Sequence, residues 1–505
     1  SNIQLNDSLF IADLLTLDIE ILLTDTVFVN PLDLMAGDTL IVENRDTLYL
    51  STPQFYSSIK KIFALESIRI QPEDSISNLK PLNKMVDLKE VDFTDCPIDD
   101  ISPLRSLLKL ESLDASGSLV TDLNDLNYLS DIKALRINNT QVNDLSVSKA
   151  FGKLETLEAN KTLIADLSFL ADLNHLRNLK LEEVNLSSYE PISGLTDLLT
   201  LDLSGSSFNN LNLISSLPNL QFLHINNTQI KSLDDLSGAE NIEFLSIDNT
   251  DIASLQPLEN IETLKMVYCD ETQIDENEVK RFIEIRPGVL IIYETASLLN
   301  WWQDINPELK QIILARLDSI SDPPNTETLH KIIFTESVDL SGHTEINSLQ
   351  SFGKLINLRT LNLSETSVSD LSPIGSLTGI RKLDISSTKV SDISPLMGLH
   401  SLQDISIENT TIESLKALDL LTSVQLIKAD GSSIKRDEVV RFEKINPALV
   451  IYQSQHLETW WKGLDKSWRN FLVGKMDLNS QPTGEDLQRL VNLDSLVIPE
   501  RSAIG

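Results

Sequence analysis

The chain has 505 residues, with 41 Lys and Arg against 75 Asp and Glu, a formal net charge of −34. That excess has the wrong sign for holding nucleic acid or an acidic bilayer by long-range attraction, and no apolar run approaches the ~18–20 residues that span a membrane. Apolar residues make up 41% of the chain and aromatics only 5%, so a large core must be mainly aliphatic, and two cysteines cannot form a disulfide framework.

Residues 1–60 read as a strand-rich start with a capping helix. Residues 1–39 are rich in Leu and β-branched side chains with Asp-Thr turns. Leu40-Ile-Val42, Leu48 and residues 58–62 match Leu290-Ile-Ile292, Leu298 and residues 308–312 at a constant offset of 250, a weak early copy of a later segment. The opening Ser1-Asn2-Ile3 has no Met, basic run or signal-peptide core, and reads as trimmed.

Residues 61–274 carry an internal repeat. An apolar residue followed by others three and five positions on begins at Leu65, Leu88, Leu110, Ile132, Leu154, Leu176, Leu198, Leu220, Ile242 and Ile261, mostly 22 residues apart. Ten positions after the start comes another apolar residue (Ile98, Val120, Val142), and further ones follow at steps of three, as in Ile101, Leu104 and Leu107. Alternation followed by a three-residue rhythm predicts a short strand and a tight return arc. One such coil cannot bury its own apolar edge, so neighbours must stack. Eight positions after the start stands a small residue with a hydroxyl or thiol, among them Cys96, Ser118, Thr140, Thr228, Thr250 and Cys269. This predicts a ladder bonding backbone groups of adjacent coils, with both cysteines as ladder substitutes.

Residues 275–328 form a spacer. Asp275-Glu-Asn-Glu278 has the capping-box pattern, followed by an amphipathic stretch, Pro287 and Val289-Leu-Ile-Ile-Tyr293: a helix, a stop and a strand continuing the sheet. Trp301-Trp302 then lead a second amphipathic stretch through Leu309, Ile312 and Ile313. The coil pattern returns over 329–434, starting at Leu329, Leu358, Ile380, Leu402 and Val424. Residues 435–490 repeat the spacer, with Glu438, Pro447, Leu449-Val-Ile-Tyr452 and Trp460-Trp461, and 491–505 open a further copy at Leu493, Leu496 and Ile498. Its interruption at Gly505 leads to the expectation that the natural protein continues with more coils. The paired tryptophans have two readings: they plug the spacer helices onto the solenoid, or they form a platform for a glycan or peptide.

The stretch Leu358-Arg-Thr-Leu-Asn-Leu-Ser-Glu-Thr-Ser-Val-Ser-Asp-Leu-Ser-Pro-Ile374 resembles the leucine-rich repeat family, and its 22-residue period and Asp-Leu-Ser-Pro return look most like the internalin-type bacterial class. Thr or Ser stands where that class usually carries Asn. The resemblance covers roughly residues 60–270 and 325–435. It implies an α/β solenoid, a right-handed superhelix with a parallel concave sheet and a short 3₁₀ or irregular convex side, here interrupted by helical spacers. It also implies a secreted or bacterial cell-surface protein without catalytic activity, binding a protein partner.

Positions two, four and six after each start face outward on the concave side. Position four reads Asp92, Asp114, Arg136, Glu158, Lys180, Asp202, His224 and Ser246, with alternating signs from Arg136 to Asp202. Such a row serves equally as a self-satisfied ladder or as a binding surface. Phe222, His224 and Phe244, flanked by Asn226 and Asp248, depart from small polar residues and are the best candidate for partner contact. Phe222, His224, Phe244, Asp248, Arg136 and Lys180 are therefore the predicted partner-binding set. The second array's face (Thr360, Asn362, Lys382, Asp384, Asp404) is polar. Six histidines show no metal-ligand spacing, no glycine loop cradles phosphate, and no Gly-x-Ser-x-Gly elbow appears. Asp100, Asp122, Asp144 and Asp166 read as turn residues and not as calcium loops. No catalytic, metal or cofactor-binding residues are assigned. The function read here is a protein-binding scaffold, with a structural or adhesive surface array contacting glycan or peptide as the alternative.

Overall fold

In a computed structural model, described for residues 21–23, 27–29, 63–74, 76–316, 322–476, 478–479 and 481–493, the coil expectation becomes two parallel sheets. A short antiparallel pair, β1 (Ile21–Leu23) and β2 (Val27–Val29), precedes them. The remaining expectations for residues 1–60, including the early spacer copy, lie outside the described residues.

The first compact unit runs to Tyr293 and holds a parallel sheet of eleven strands in sequence order. They are β3 (Ser67–Arg69), β4 (Glu90–Asp92), β5 (Ser112–Asp114), β6 (Ala134–Arg136), β7 (Thr156–Glu158), β8 (Asn178–Lys180), β9 (Thr200–Asp202), β10 (Phe222–His224), β11 (Phe244–Ser246), β12 (Met266–Tyr268) and β13 (Leu290–Ile292). The second unit, from Glu294, holds six: β14 (Ser337–Asp339), β15 (Thr360–Asn362), β16 (Lys382–Asp384), β17 (Asp404–Ser406), β18 (Leu426–Lys428) and β19 (Leu449–Ile451). Within each of these two sheets every strand pairs with the next in parallel, so each connection is a crossover, right-handed as such crossovers are. This is a leucine-rich repeat solenoid.

One coil shows why the sequence winds this way. Leu198, Leu201 and Leu203 point inward and are fully buried, stacked on their equivalents in the coils before and after. Asp202 between them faces out. Two residues after Leu203, Gly205 has a left-handed φ of 67° and swings the chain out of the strand. The same position, seven after the coil start, is left-handed in Asp95, Gly117, Asn139, Lys161, Glu183, Asn227, Asn249, Glu271, Gly342, Glu365, Ser387, Asn409 and Gly431. Asn, Asp and Gly tolerate this conformation, whereas the Lys, Glu and Ser examples are held in it by the ladder on either side. The return begins with an aspartate: Asp100, Asp144, Asp166 and Asp392 each accept the backbone N–H two residues on, at 2.8–2.9 Å. This is turn chemistry, and it opens 3₁₀ segments such as Ser102–Ser106 and Ser394–Gly398.

The hydroxyl ladder differs from the expectation. Thr140, Thr228, Thr250, Thr366 and Thr410 donate to the carbonyl three residues back in their own coil at 2.6–2.7 Å, not to a neighbour. The left-handed residue just before folds the hydroxyl under its own strand end. Bonds between coils come from the backbone and from side chains two positions earlier. Asn138 Oδ1 accepts from Asn160 N at 3.0 Å, Asn160 Oδ1 from Glu182 N at 2.9 Å, and Asn226 Oδ1 from Asp248 N at 2.8 Å. Cys96 does occupy the hydroxyl position, with its Sγ 3.6 Å from Ile70 O. Cys269 does not: strand β12 starts the tenth coil at Leu264 rather than Ile261, so Thr272 takes the ladder place, donating to Cys269 O at 2.8 Å, and Cys269 is a core residue.

The second array also starts later than the pattern implied. Leu329 and Ile332 lie on a helix, Thr326–Ile333, and the first strand is Ser337–Asp339, so this coil begins at Thr335. Spacing of three along one face serves a helix as well as a coil.

The terminal segments follow the helix, stop and strand reading: α1 (Glu276–Ile285) before β13, and later Arg436–Glu443 before β19. The capping box is only half formed. Asp275 Oδ1 accepts Glu278 N at 2.9 Å, but Glu278 turns its carboxylate to Leu255 N (2.6 Å), Ser254 Oγ (3.0 Å) and Arg281 Nε (2.8 Å). It clamps the helix to the previous coil. Glu438 does the same at Leu415 N, Ser414 Oγ and Arg441.

Candidate partner-binding face

Outward positions two and four of each coil make a grid whose columns are the strands, ~4.8 Å apart. On the early strands the grid is spent on itself. Arg69 Nε lies 2.5 Å from Asp92 Oδ2. Arg136 and Lys180, both in the predicted partner set, stand 3.6 and 3.2 Å from the same Glu158 Oε1, one strand away on either side. Partial burial works against the Glu158 charge, but Lys180, Asn138 and Arg136 together hold its carboxyl below the usual range. These two cations form a three-member ladder with Glu158.

Toward the end of the first sheet the character changes. Phe222 on β10 and Phe244 on β11 are register partners, and their rings stack at 4.9 Å between centroids and 5° between planes. The register continues to Met266 on β12 and Leu290 on β13. These four side chains make one apolar row across four adjacent strands, each half-buried. Beside them, position four reads His224, Ser246, Tyr268 and Ile292.

Two positions further on lies a polar row. Asn226 Oδ1 accepts from Ser246 Oγ (2.7 Å) as well as from Asp248 N, and Asp248 Oδ1 accepts from Asp270 N (2.8 Å). Burial pushes the Asp248 carboxyl up to about 6; the charges of Asp270 and Glu271 act in the same direction, while the Asp270 N–H and the Ser246 hydroxyl oppose them. The structure thus brings together Phe222, His224, Phe244 and Asp248, and places Arg136 and Lys180 elsewhere, at the Glu158 ladder.

Met266 and Tyr268 were missed by sequence reasoning because the tenth coil was begun three residues early, and Leu290 because the terminal strand was given no facing. The signal was present: a constant 22-residue step from Ile242 lands on Leu264 and puts Met266 beside Phe244. The second sheet's face is polar over β14–β17, with Lys382 paired to Asp404 at 3.0 Å and the Ser386 and Ser406 hydroxyls 2.6 Å apart.

The tryptophans divide. In α2 (Thr295–Asp304), Trp301 Nε1 donates to Ser351 O and Trp302 Nε1 to Asp322 Oδ1, both at 2.8 Å, and Trp302 is fully buried. In the second spacer Trp461 is buried with Leu457, Leu472, Leu487 and Leu490, whereas Trp460 is 39% exposed. The two rings of each pair are inclined by 62° and 57°. Neither pair presents a flat two-ring surface. Among the described residues no group of three or more His, Cys, Asp or Glu is placed to hold a metal ion, and no helix is long and apolar enough to cross a membrane.

No family model matches the chain, and no curated protein matches it. Among solved structures the chain is similar to an internalin (inlF) of Listeria monocytogenes, at 17% identity over 68% of this chain and 81% of that one, with a TM-score of 0.32. It is similar to a leucine-rich repeat protein of Leptospira interrogans at 15% identity, over 79% and 87% of the two chains, with a TM-score of 0.39. The functional domain of InlJ from Listeria monocytogenes matches at 15% identity over 73% and 74%, with a TM-score of 0.41. Likenesses of this size leave the site undetermined; the coil geometry itself identifies the fold.

Proposed function

We propose that this chain is a non-catalytic recognition scaffold that binds a protein partner on the concave face of its first sheet, at the end formed by β10–β13. The observation that carries this reading is the apolar row Phe222, Phe244, Met266 and Leu290 on a face whose earlier strands carry paired charges. Exposed apolar rows with aromatic members are what contact surfaces contribute to binding. A rigid sheet holds them at fixed spacing, so little side-chain freedom is lost on association. The internalin-like coil motif supports a place outside a bacterial cell. The glycan-platform alternative has less support, because Trp302 and Trp461 are buried and Trp301 is hydrogen-bonded to Ser351 of the second array.

The reading is tested by selecting displayed random peptides on the immobilised full chain. Peptides whose capture is lost in the double variant Phe222→Ser, Phe244→Ser, with unchanged thermal melting, support it. Peptides captured equally by both forms contradict it.

A further inference from the structure

The two spacers are copies that differ in the size of the side chains on one helix face. In the first, α2 is followed by α3 (Pro307–Arg316); both recur at a constant offset of 159, Thr295 answering to Ser454 and Pro307 to Lys466. One face of α3 carries Leu309, Ile312 and Ile313, a helical turn apart. The copy carries Trp468, Phe471 and Leu472 at these places, and the Trp468 and Phe471 rings pack edge to face with centroids 6.0 Å apart. The copy thus has two rings where the first spacer has two aliphatic chains.

The coil beside α3 is short of an apolar side chain as well. The start position of the later coils in this array is Leu358, Ile380, Leu402 or Val424, all buried. In the first coil it is Thr335, smaller than Leu or Ile. A cavity of about 160 Å³ lies here, walled by Leu309, Ile312 and Ile313 on one side and by Val338, Phe352 and Leu355 of the coils on the other, with Thr335 between. Folded interiors hold few voids larger than a water molecule, so this is space that the chain leaves unfilled. Trp301 Nε1 fastens α2 to Ser351 O, next to Phe352, and Trp302 Nε1 bonds Asp322 Oδ1, which keeps the helices from closing over it.

The chemistry of the walls fits one class of occupant. The half-buried Thr335 hydroxyl is spent on Lys331 O at 3.2 Å. Ser337 is the exposed lining residue and marks the mouth. Apolar walls give water too few partners, and a cavity of ~150 Å³ lined by Leu, Ile and Phe stays dry and takes benzene. Phe352 offers an aromatic contact to a flat ligand.

We propose that the cavity between α3 and the first coils of the second array binds one small aromatic molecule, a single apolar ring whose polar substituent, where it has one, points to the mouth at Ser337. The ligand supplies the kind of ring that the second spacer carries in its own Trp468 and Phe471. The site lies within the second unit and is independent of the concave-face reading.

Fluorobenzene, followed by fluorine NMR on the full chain, tests this. Six ring carbons allow a dissociation constant on the order of 0.1–1 mM, so line broadening is expected to saturate in that range and to be reversed by benzene. Benzene at about ten times that constant is expected to raise the melting temperature by about 3 °C. Thr335→Leu and Ile312→Phe each fill the space from one wall. Each variant, with cooperative urea unfolding as the check of folding, is expected to bind fluorobenzene about tenfold more weakly or worse, because seating the ring then overpacks the site. Cyclohexane, puckered and thicker, is expected to compete less well than benzene. Broadening that never saturates in the unaltered chain, that is undiminished in a folded variant, or that cyclohexane reverses as readily as benzene overturns the proposal.

Discussion

Replacing Glu438 by Gln tests how the terminal helix is fastened to the last coil. Oε1 of Glu438 accepts Leu415 N (2.7 Å), Ser414 Oγ (3.0 Å) and Arg441 Nη2 (2.9 Å), and Oε2 accepts Arg441 Nε (2.8 Å). Arg441 in turn grips Asp419 through two bonds of 2.8 and 3.0 Å. The Arg441 bonds, opposed by burial and helped by the Leu415 N–H and the Ser414 hydroxyl, bring the Glu438 carboxyl down to about 2. Gln retains one oxygen for the Leu415 N–H but sets an amide NH₂ against the Arg441 Nε–H. A charge-assisted bond is worth ~1.5–3 kcal/mol, and the site lies close enough to solvent to reduce that, so a loss of roughly 1.5 kcal/mol is expected at pH 7. Because the folded carboxyl is depressed, its contribution is present above the ordinary glutamate range and is lost as pH falls from about 4.5 toward 2. Hydrogen–deuterium exchange at the Leu415 amide reads this locally. The variant is expected to exchange about tenfold faster at pH 7, with the difference closing at about pH 2. Equal protection at pH 7, or a difference that persists at pH 2, would refute the clamp.

Three further outcomes follow from the coil geometry. Leu201→Ala opens a cavity between coils and is expected to cost ~2–5 kcal/mol, whereas its outward neighbour Asp202→Ala costs under ~1 kcal/mol; equal costs in urea denaturation would show the facing to be wrong. Glu365→Gly, at φ 59° and exposed, removes ~1–2 kcal/mol of left-handed strain and costs ~0.5–1 kcal/mol of chain entropy, so a net gain of up to ~1.5 kcal/mol is expected in the same assay. Asp248→Asn is expected to stabilise by roughly 1 kcal/mol at pH 8, solvent screening included. A carboxyl raised to about 6 favours folding fully only below the unfolded value near 4 and loses that advantage as pH rises through 6, so the variant's gain should vanish by about pH 4.

The periodic interior was legible because aliphatic side chains recur wherever a coil turns inward, and burial acts on hydrophobicity directly. Eleven strands and then six match ten coils and five, each array closed by its predicted terminal strand. Register failed where apolar residues satisfied the pattern twice. Ile261, Leu264 and Met266 fit it as well as Leu264, Val267 and Cys269, and Leu329 with Ile332 fit a helix equally. What separates the choices is the left-handed residue seven positions on, a backbone property that Glu271 does not advertise. That slip hid Met266 and Tyr268 and misplaced Cys269. Phe222 and Phe244 were legible because aromatics are rare here and alternate with buried leucines. The engagement of Arg136 and Lys180 by one carboxylate was less so, since alternating signs fit a paired ladder and an open face alike. The clamp made by Glu278 was invisible, because its partner Leu255 is 23 residues away.

Methionine oxidation tests the binding face most directly, since Met266 lies in the apolar row and exposed Met397 serves as an internal reference in the other unit. With a selected peptide bound, oxidation of Met266 by hydroxyl radicals should slow several-fold while Met397 reacts at its free rate. A Met266 that oxidises equally fast with and without the bound peptide would contradict recognition at β10–β13.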